Sequence, residues 1–144
     1  MKRAFSFLLI LLMITIPASA SSRDKIIDEY NIYATVFGAP EIASVVKADD
    51  RFIQCKLEND APLTFSADHT YINLTMPVSD CDQFLRASIS AIVCLSDSKS
   101  YVDMIGKVTY AYLFAKGDQN YAGGFFLRIE ITPAGEYLLS AIKH

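Results

Sequence analysis

The chain opens with an apolar block over residues 5–16, in which Ser6 and Thr15 are the polar residues, set behind Lys2 and Arg3. Pro17 ends the block, and Ala18-Ser19-Ala20 follows with the small-x-small pattern of a signal peptidase site. Charge, greasy core and small residues in this order predict a secretory signal peptide over 1–20, cut after Ala20. The block is short of the roughly 20 apolar residues a membrane span needs. No cysteine stands near Ala20 to carry a lipid, so no stable membrane anchor is expected after cleavage. What remains, 21–144, has the length of one domain.

Helical spacing comes next. Ile26, Tyr30, Tyr33 and Phe37 recur at intervals of four, three and four behind Ser21-x-x-Asp24, and Gly38 and Pro40 close the run. This predicts a helix over 21–38. Within 41–47, Ile42, Val45 and Val46 continue at helical spacing and predict a short second helix that ends near Asp49-Asp50.

The period then changes to two. Ile53, Cys55 and Leu57 alternate with Phe52, Gln54 and Lys56; Leu63 and Phe65 with Thr64; Ile72, Leu74 and Met76 with Tyr71, Asn73 and Thr75. Asn59-Asp60 and Asp68-His69 punctuate them. Three antiparallel strands in a meander are expected. Pro77 stops the third. Ser79, Asp80 and Asp82 mark a helix start, and Phe84, Leu85, Ile89, Ile92 and Leu95 give that helix a broad apolar face over 79–95.

After a polar loop, 101–105 reads as one helical turn ended by Gly106. Residues 107–116 read as a strand, with Val108, Tyr110, Tyr112 and Phe114 on one face and Ala111, Leu113 and Ala115 on the other. Residues 117–120 form the turn to a second strand over 121–132, where Phe125, Leu127, Ile129 and Ile131 oppose Phe126, Arg128 and Glu130 and Gly123-Gly124 marks a bulge or bend. Thr132-Pro133 reads as the start of a last helix, with Leu138, Leu139 and Ile142 toward the core. The order is ααβββαββα. The fold class is α+β, an antiparallel sheet of about five strands with helices packed on one face.

Charge narrows the partners. Removing Lys2 and Arg3 takes the 13 basic residues to 11 against 16 acidic, a balance of −5 with both histidines neutral. The basic residues stand singly. Neither nucleic acid nor an anionic membrane surface is expected, since each asks for a basic cluster.

Cys55, Cys81 and Cys94 all lie beyond the leader, and an oxidising compartment predicts one disulfide. Cys81 and Cys94 share the 79–95 helix and lie about 20 Å apart along it, beyond the roughly 7 Å a disulfide spans between Cα atoms. The bridge is therefore expected from Cys55 to one of them, with the third thiol free and buried.

Chemistry-bearing motifs are scarce. A thiol nucleophile would need one of the cysteines beside His69, yet no local signature surrounds any of them. Asp49-Asp50 and Asp80 with Asp82 could offer oxygen ligands, but they lack EF-hand spacing and are accounted for by a turn and a helix start. Neither a metal nor a cofactor is expected. Asn73-Leu74-Thr75 is a formal glycosylation sequon within a strand. The informative surplus is aromatic. Phe52, Tyr71, Tyr110, Tyr112 and Phe126 exceed what one core face can hold, and such residues are enriched where proteins meet. The chain thus reads as an exported, periplasmic or secreted, non-enzymatic protein-binding module, such as an inhibitor, an immunity protein or a secretion accessory. Its partner is another protein or a second copy. Two other classes compete: a carrier with an apolar cleft between sheet and helices, and a hydrolase with a nonlocal active site.

Overall fold

Alternating side chains do pair into strands where the period is two. In the computed structural model, which describes residues 22–97 and 100–144, these are β2 (Phe52–Leu57), β3 (Pro62–Ser66) and β4 (Tyr71–Pro77). Two left-handed residues turn the chain between them, Asp60 (φ 67°) and His69 (φ 64°), residue types that enter this region at modest cost. The expected leader over 1–20 lies outside the described residues.

The first helix, α1 (Ser22–Phe37), buries Ile26, Tyr30 and Ala34 at intervals of four. Gly38 (φ 70°) ends it in the left-handed position that suits glycine. Arg86 donates to the Phe37 carbonyl at 2.7 Å and caps it.

Residues 41–47 correct the first expectation. They form a strand, β1 (Ile42–Ala48), not a helix. Ile42, Val45 and Val46 fit a helical stripe by spacing, but β-branched side chains favour a pleated surface. Only Ile42 of this strand is even half-buried, so no helical face was there to be covered. Backbone pairing with β2 decides the element instead.

The third segment falls where the sequence places it. A 3-10 turn (Val78–Asp80) leads into α2 (Cys81–Leu95). Its cap residue is Asp80 instead of Ser79, and no side chain closes that cap. Asp82 instead pairs with Arg86, 2.8 Å away.

Two further elements exchange type. The expected strand over 107–116 belongs to a helix, α3 (Tyr101–Phe114), which runs through Gly106. This stretch is so uniformly apolar that it satisfies both periods, and the buried set Met104, Val108 and Ala111 shows which one packing selects. The expected last helix is a strand, β7 (Glu136–Lys143). Thr132-Pro133 starts a hairpin turn in place of a helix: Gly135 (φ 77°) donates to Thr132 at 3.0 Å and Thr132 to Glu136 at 2.8 Å. Of the three residues assigned to the core, Leu139 is buried, whereas Leu138 and Ile142 lie on the opposite face.

The remaining hairpin is β5 (Asn120–Ala122) and β6 (Phe125–Ile131), with Gly123-Gly124 as its turn. A Cβ on Gly123 would lie 2.6 Å from the Met104 sulfur and 2.9 Å from the Ser96 hydroxyl, and the residue has φ 61°. Both space and conformation require glycine.

The fold is α+β; the described residues form three helices and a seven-stranded antiparallel sheet in the order β1-β2-β3-β4-β7-β6-β5. The sequence pattern led to about five strands and a different order. The helices cover one face, where α2 lies against β4 and β7 and α3 against β5 and β6. Tyr30, Phe65, Phe84 and Phe125 fill the layer between and are fully buried.

The expected disulfide is absent: all three cysteines are free. Cys55 and Cys94 act as small apolar residues in this core, and Cys81 is exposed at the start of α2. Because Cys81 and Cys94 sit at opposite ends of one helix, they cannot bridge.

An open sheet face with one aromatic row

The side of the sheet away from the helices is open, and its side chains sort by level along the strands. One level is apolar. Across the ladder, Tyr121 on β5 faces Phe126 on β6, Phe126 faces Ile142 on β7, and Ile142 faces Tyr71 on β4. The row continues to Ser66 on β3, whose hydroxyl accepts the Tyr71 N–H at 2.8 Å, and to Phe52 on β2, opposite Ser66. Six strands at about 4.8 Å spacing make this row roughly 24 Å long.

Its members are tied in pairs and still open to solvent. The Tyr121 and Phe126 rings meet at 5.5 Å, Phe52 and Tyr71 at 5.9 Å, and Phe126 and the terminal His144 at 4.8 Å, all edge-on, the arrangement that suits aromatic quadrupoles. Ile142 remains 59% exposed, Tyr121 49%, Phe52 41% and Phe126 37%. Each is held by a strand whose other face is core. Phe126 lies between buried Phe125 and Leu127, so its outward direction is set by the pleat.

The next level is polar from side to side, with Gln54, Thr64, Asn73, Ser140 and Arg128 as register partners. The sequon residue Asn73 lies in this level, half-exposed. Beyond it come Lys56, Pro62, Thr75, Leu138 and Glu130, with Arg128 and Glu130 paired at 3.4 Å. The face is thus one apolar band bordered by hydrogen-bonding groups.

Two turns brace the Phe52–Tyr71 end. The Asp49 carboxylate accepts the Arg51 and Phe52 N–H groups at 2.8 and 2.9 Å. These bonds hold its carboxyl below the usual range. Hydrogen bonds from Ser66 and Thr70 do the same for Asp68. A groove of about 360 Å³ opens beside them, lined by Arg51, Phe52, Asp68, Thr70 and Tyr71 among others.

Neither edge of the sheet offers a comparable template. β5 is three residues long. β1 is longer, but its register with β2 breaks between Ile42 and Ser44 and again between Val45 and Lys47. Short strands and bulges are the devices that discourage pairing with another chain.

Of the five aromatic residues singled out from the sequence, Phe52, Tyr71 and Phe126 share this row. Tyr110 and Tyr112 do not, because a helix turns residues two apart onto opposite sides. Tyr112 packs between Tyr137 (5.4 Å) and Phe84 (6.2 Å), with the Lys116 ammonium 5.0 Å from its ring. Burial, then its hydrogen bond with Tyr137, pushes its hydroxyl pKa up. Tyr110 faces solvent beside Phe114, 5.7 Å away. Tyr121 and Ile142 were missed. The expected last helix turns Ile142 toward the core, and the signal against it is Thr132-Pro133-Ala134-Gly135, a turn sequence joining two strands.

The buried thiols lie on the core side, apart from this face. Burial pushes the Cys55 thiol up to about 11 and raises Cys94 further, the opposite of what activates a nucleophile. His69 sits in a turn at φ 64°. Asp82 is engaged by Arg86 and Asp49 by its own turn. Among the described residues, no group of three or more His, Cys, Asp and Glu side chains is placed to hold a metal. No helix of the described residues is long and apolar enough to cross a membrane. Comparison with family models, with characterised proteins and with solved structures finds no match to this chain.

Proposed function

We propose that this chain is an exported, non-enzymatic protein-binding module that docks its partner on the open sheet face. One observation carries the reading: five apolar side chains from five strands stand at a single level of that face, and the level next to it is polar from side to side. Solvated sheet faces ordinarily carry polar side chains. A continuous exposed apolar band rimmed by hydrogen-bonding groups is the pattern of an interface core and rim. The blunted edges favour face over edge as the docking mode. Inhibitor, immunity and secretion-accessory roles all fit such a module.

The carrier alternative draws no comparable support. The layer between sheet and helices is filled by Tyr30, Phe65, Phe84 and Phe125, and the grooves around Phe52 and Tyr121 lie at the surface.

The test is the triple variant Phe52→Ser/Phe126→Ser/Ile142→Ser, compared with wild type for recovery of a stoichiometric partner from the exported fraction. Loss of the partner with far-ultraviolet circular dichroism unchanged supports the reading. A partner retained at wild-type level, or none recovered by either protein, contradicts it.

A further inference from the structure

A second exposed apolar surface lies on the helix side of the molecule, along α3. Val102, Gly106, Tyr110, Leu113 and Phe114 follow one another at helical spacing on its outward side, opposite the buried Met104, Val108 and Ala111. Val102 is 85% exposed and Phe114 75%. At the centre stands a glycine that the chain itself does not call for. Gly106 has no positive φ, and a Cβ there would meet nothing within 4 Å among the described residues. Glycine inside a helix costs about 1 kcal/mol relative to alanine, and nothing internal offsets that. Such a residue allows another backbone to come close.

The charges beside the stripe are of both signs. Asp103 and Lys107 form an ion pair at 2.9 Å on one flank, and the Lys107 ammonium lies 6.0 Å from the Tyr121 ring centroid. We propose that this stripe is a self-association surface, on which α3 of a second copy packs antiparallel about a two-fold axis passing beside Gly106.

The geometry of such an axis selects the occupant. It sets each Val102 against the other copy's Tyr110 and brings like flanks together. Asp103 of one copy then falls within about two residues, or about 3 Å along the axis, of Lys107 of the other. Each patch supplies both halves of the cross-pairs, which is the self-complementarity that an isologous interface requires. The area is sufficient. From the exposure of these side chains and of Tyr121, each copy presents on the order of 500 Å² of apolar surface. Two copies together reach the roughly 1,000 Å² a specific interface needs.

Sedimentation equilibrium of the purified protein over a wide concentration range tests this. The expected result is a mass that rises with concentration toward twice that of the monomer. Gly106→Glu places two like charges at the axis without a clash inside its own fold, so it is expected to stay monomeric, with a melting temperature not below that of wild type at concentrations where both are monomeric. Asp103→Lys is expected to weaken association at least tenfold, and adding Lys107→Asp to restore it. The proposal is overturned if wild type is monomeric throughout, including a monomer whose stripe is taken by a different protein. It is also overturned if Gly106→Glu dimerises as wild type does. Tyr121 borders both surfaces, but Gly106→Glu leaves Phe52, Phe126 and Ile142 unchanged and the sheet-face triple variant leaves α3 unchanged, so failure of one reading is told apart from failure of the other.

Discussion

Tyr110 and Tyr112 provide the sharpest test of the fold, because the alternating pattern would put them on one face and α3 puts them on opposite sides. Replacing each by alanine separates the two arrangements. Tyr112 loses contact with Tyr137 and Phe84 and the Lys116 ammonium loses a ring. Removing a fully buried large aromatic costs about 3–5 kcal/mol. Tyr112 is half-buried, so a loss of about 2–3 kcal/mol is expected on the same scale. For a domain of this size, that lowers the melting temperature by roughly 8–15 °C. Tyr110 is 57% exposed and touches Phe114. Its truncation removes little buried area, and alanine is the better helix former by about half a kcal/mol. At a concentration low enough to keep both proteins monomeric, Tyr110→Ala should therefore melt within about 2 °C of wild type. Thermal unfolding of the two variants, cross-checked by urea midpoints, gives the comparison. Equal losses at the two positions would refute the helical assignment of 107–114 and restore a strand.

Other consequences follow from single contacts. Hydrogen bonding to Tyr101, followed by burial, pushes the Tyr33 hydroxyl up to about 12. A raised acid is stabilising while protonated, so this contribution is full below pH 10 and is lost as pH rises toward 12. Urea midpoints between pH 8 and 12 should fall in that window and fall less in Tyr33→Phe; an unchanged pH dependence in that variant would contradict it. The Ser88 hydroxyl is buried with no hydrogen-bond partner among the described residues, so Ser88→Ala should be neutral or stabilising by up to about 1 kcal/mol, whereas a clear loss of stability would reveal a partner. Gly123→Ala should destabilise by about 1–3 kcal/mol, since it adds both left-handed strain and a 2.6 Å approach to Met104. A melting temperature equal to wild type would show that the β5–β6 turn is looser than described. In thiol titration of the native protein, Cys81 should react first and Cys55 and Cys94 only on unfolding, for a total of three; a total of one after denaturation would mean a disulfide.

Much of the architecture was readable because some segments leave packing no choice. In 52–57 and 71–76 the alternation is clean, and the same parity that buried Ile53, Cys55 and Leu57 or Ile72, Leu74 and Met76 turned Phe52 and Tyr71 outward. In 81–95 the apolar positions spread too widely for one strand face. The misread segments share a physical ambiguity. Val108 to Ala115 is apolar almost throughout, and 41–47 has too few buried residues for either period to matter. The Thr132-Pro133 pair opens helices and turns alike, and Gly135 settles which. The candidate site was half legible for the same reason. Phe52, Tyr71 and Phe126 could be read as surplus, but their alignment depends on β7 inserting between β4 and β6. The β4–β7 pairing joins segments far apart in sequence, and no local pattern records it.

The central claim is that the aromatic row is a docking surface, and site-specific photocrosslinking tests it most directly. A photoreactive side chain would be placed in turn at Phe52, Tyr71, Tyr121, Phe126 and Ile142, and for comparison at Gln54, Thr64 and Arg128 in the polar level. The account predicts one discrete heterologous adduct from the row positions, fading at the polar level and absent from the far side of the sheet. Adducts of equal yield from both levels, or from neither, would contradict it.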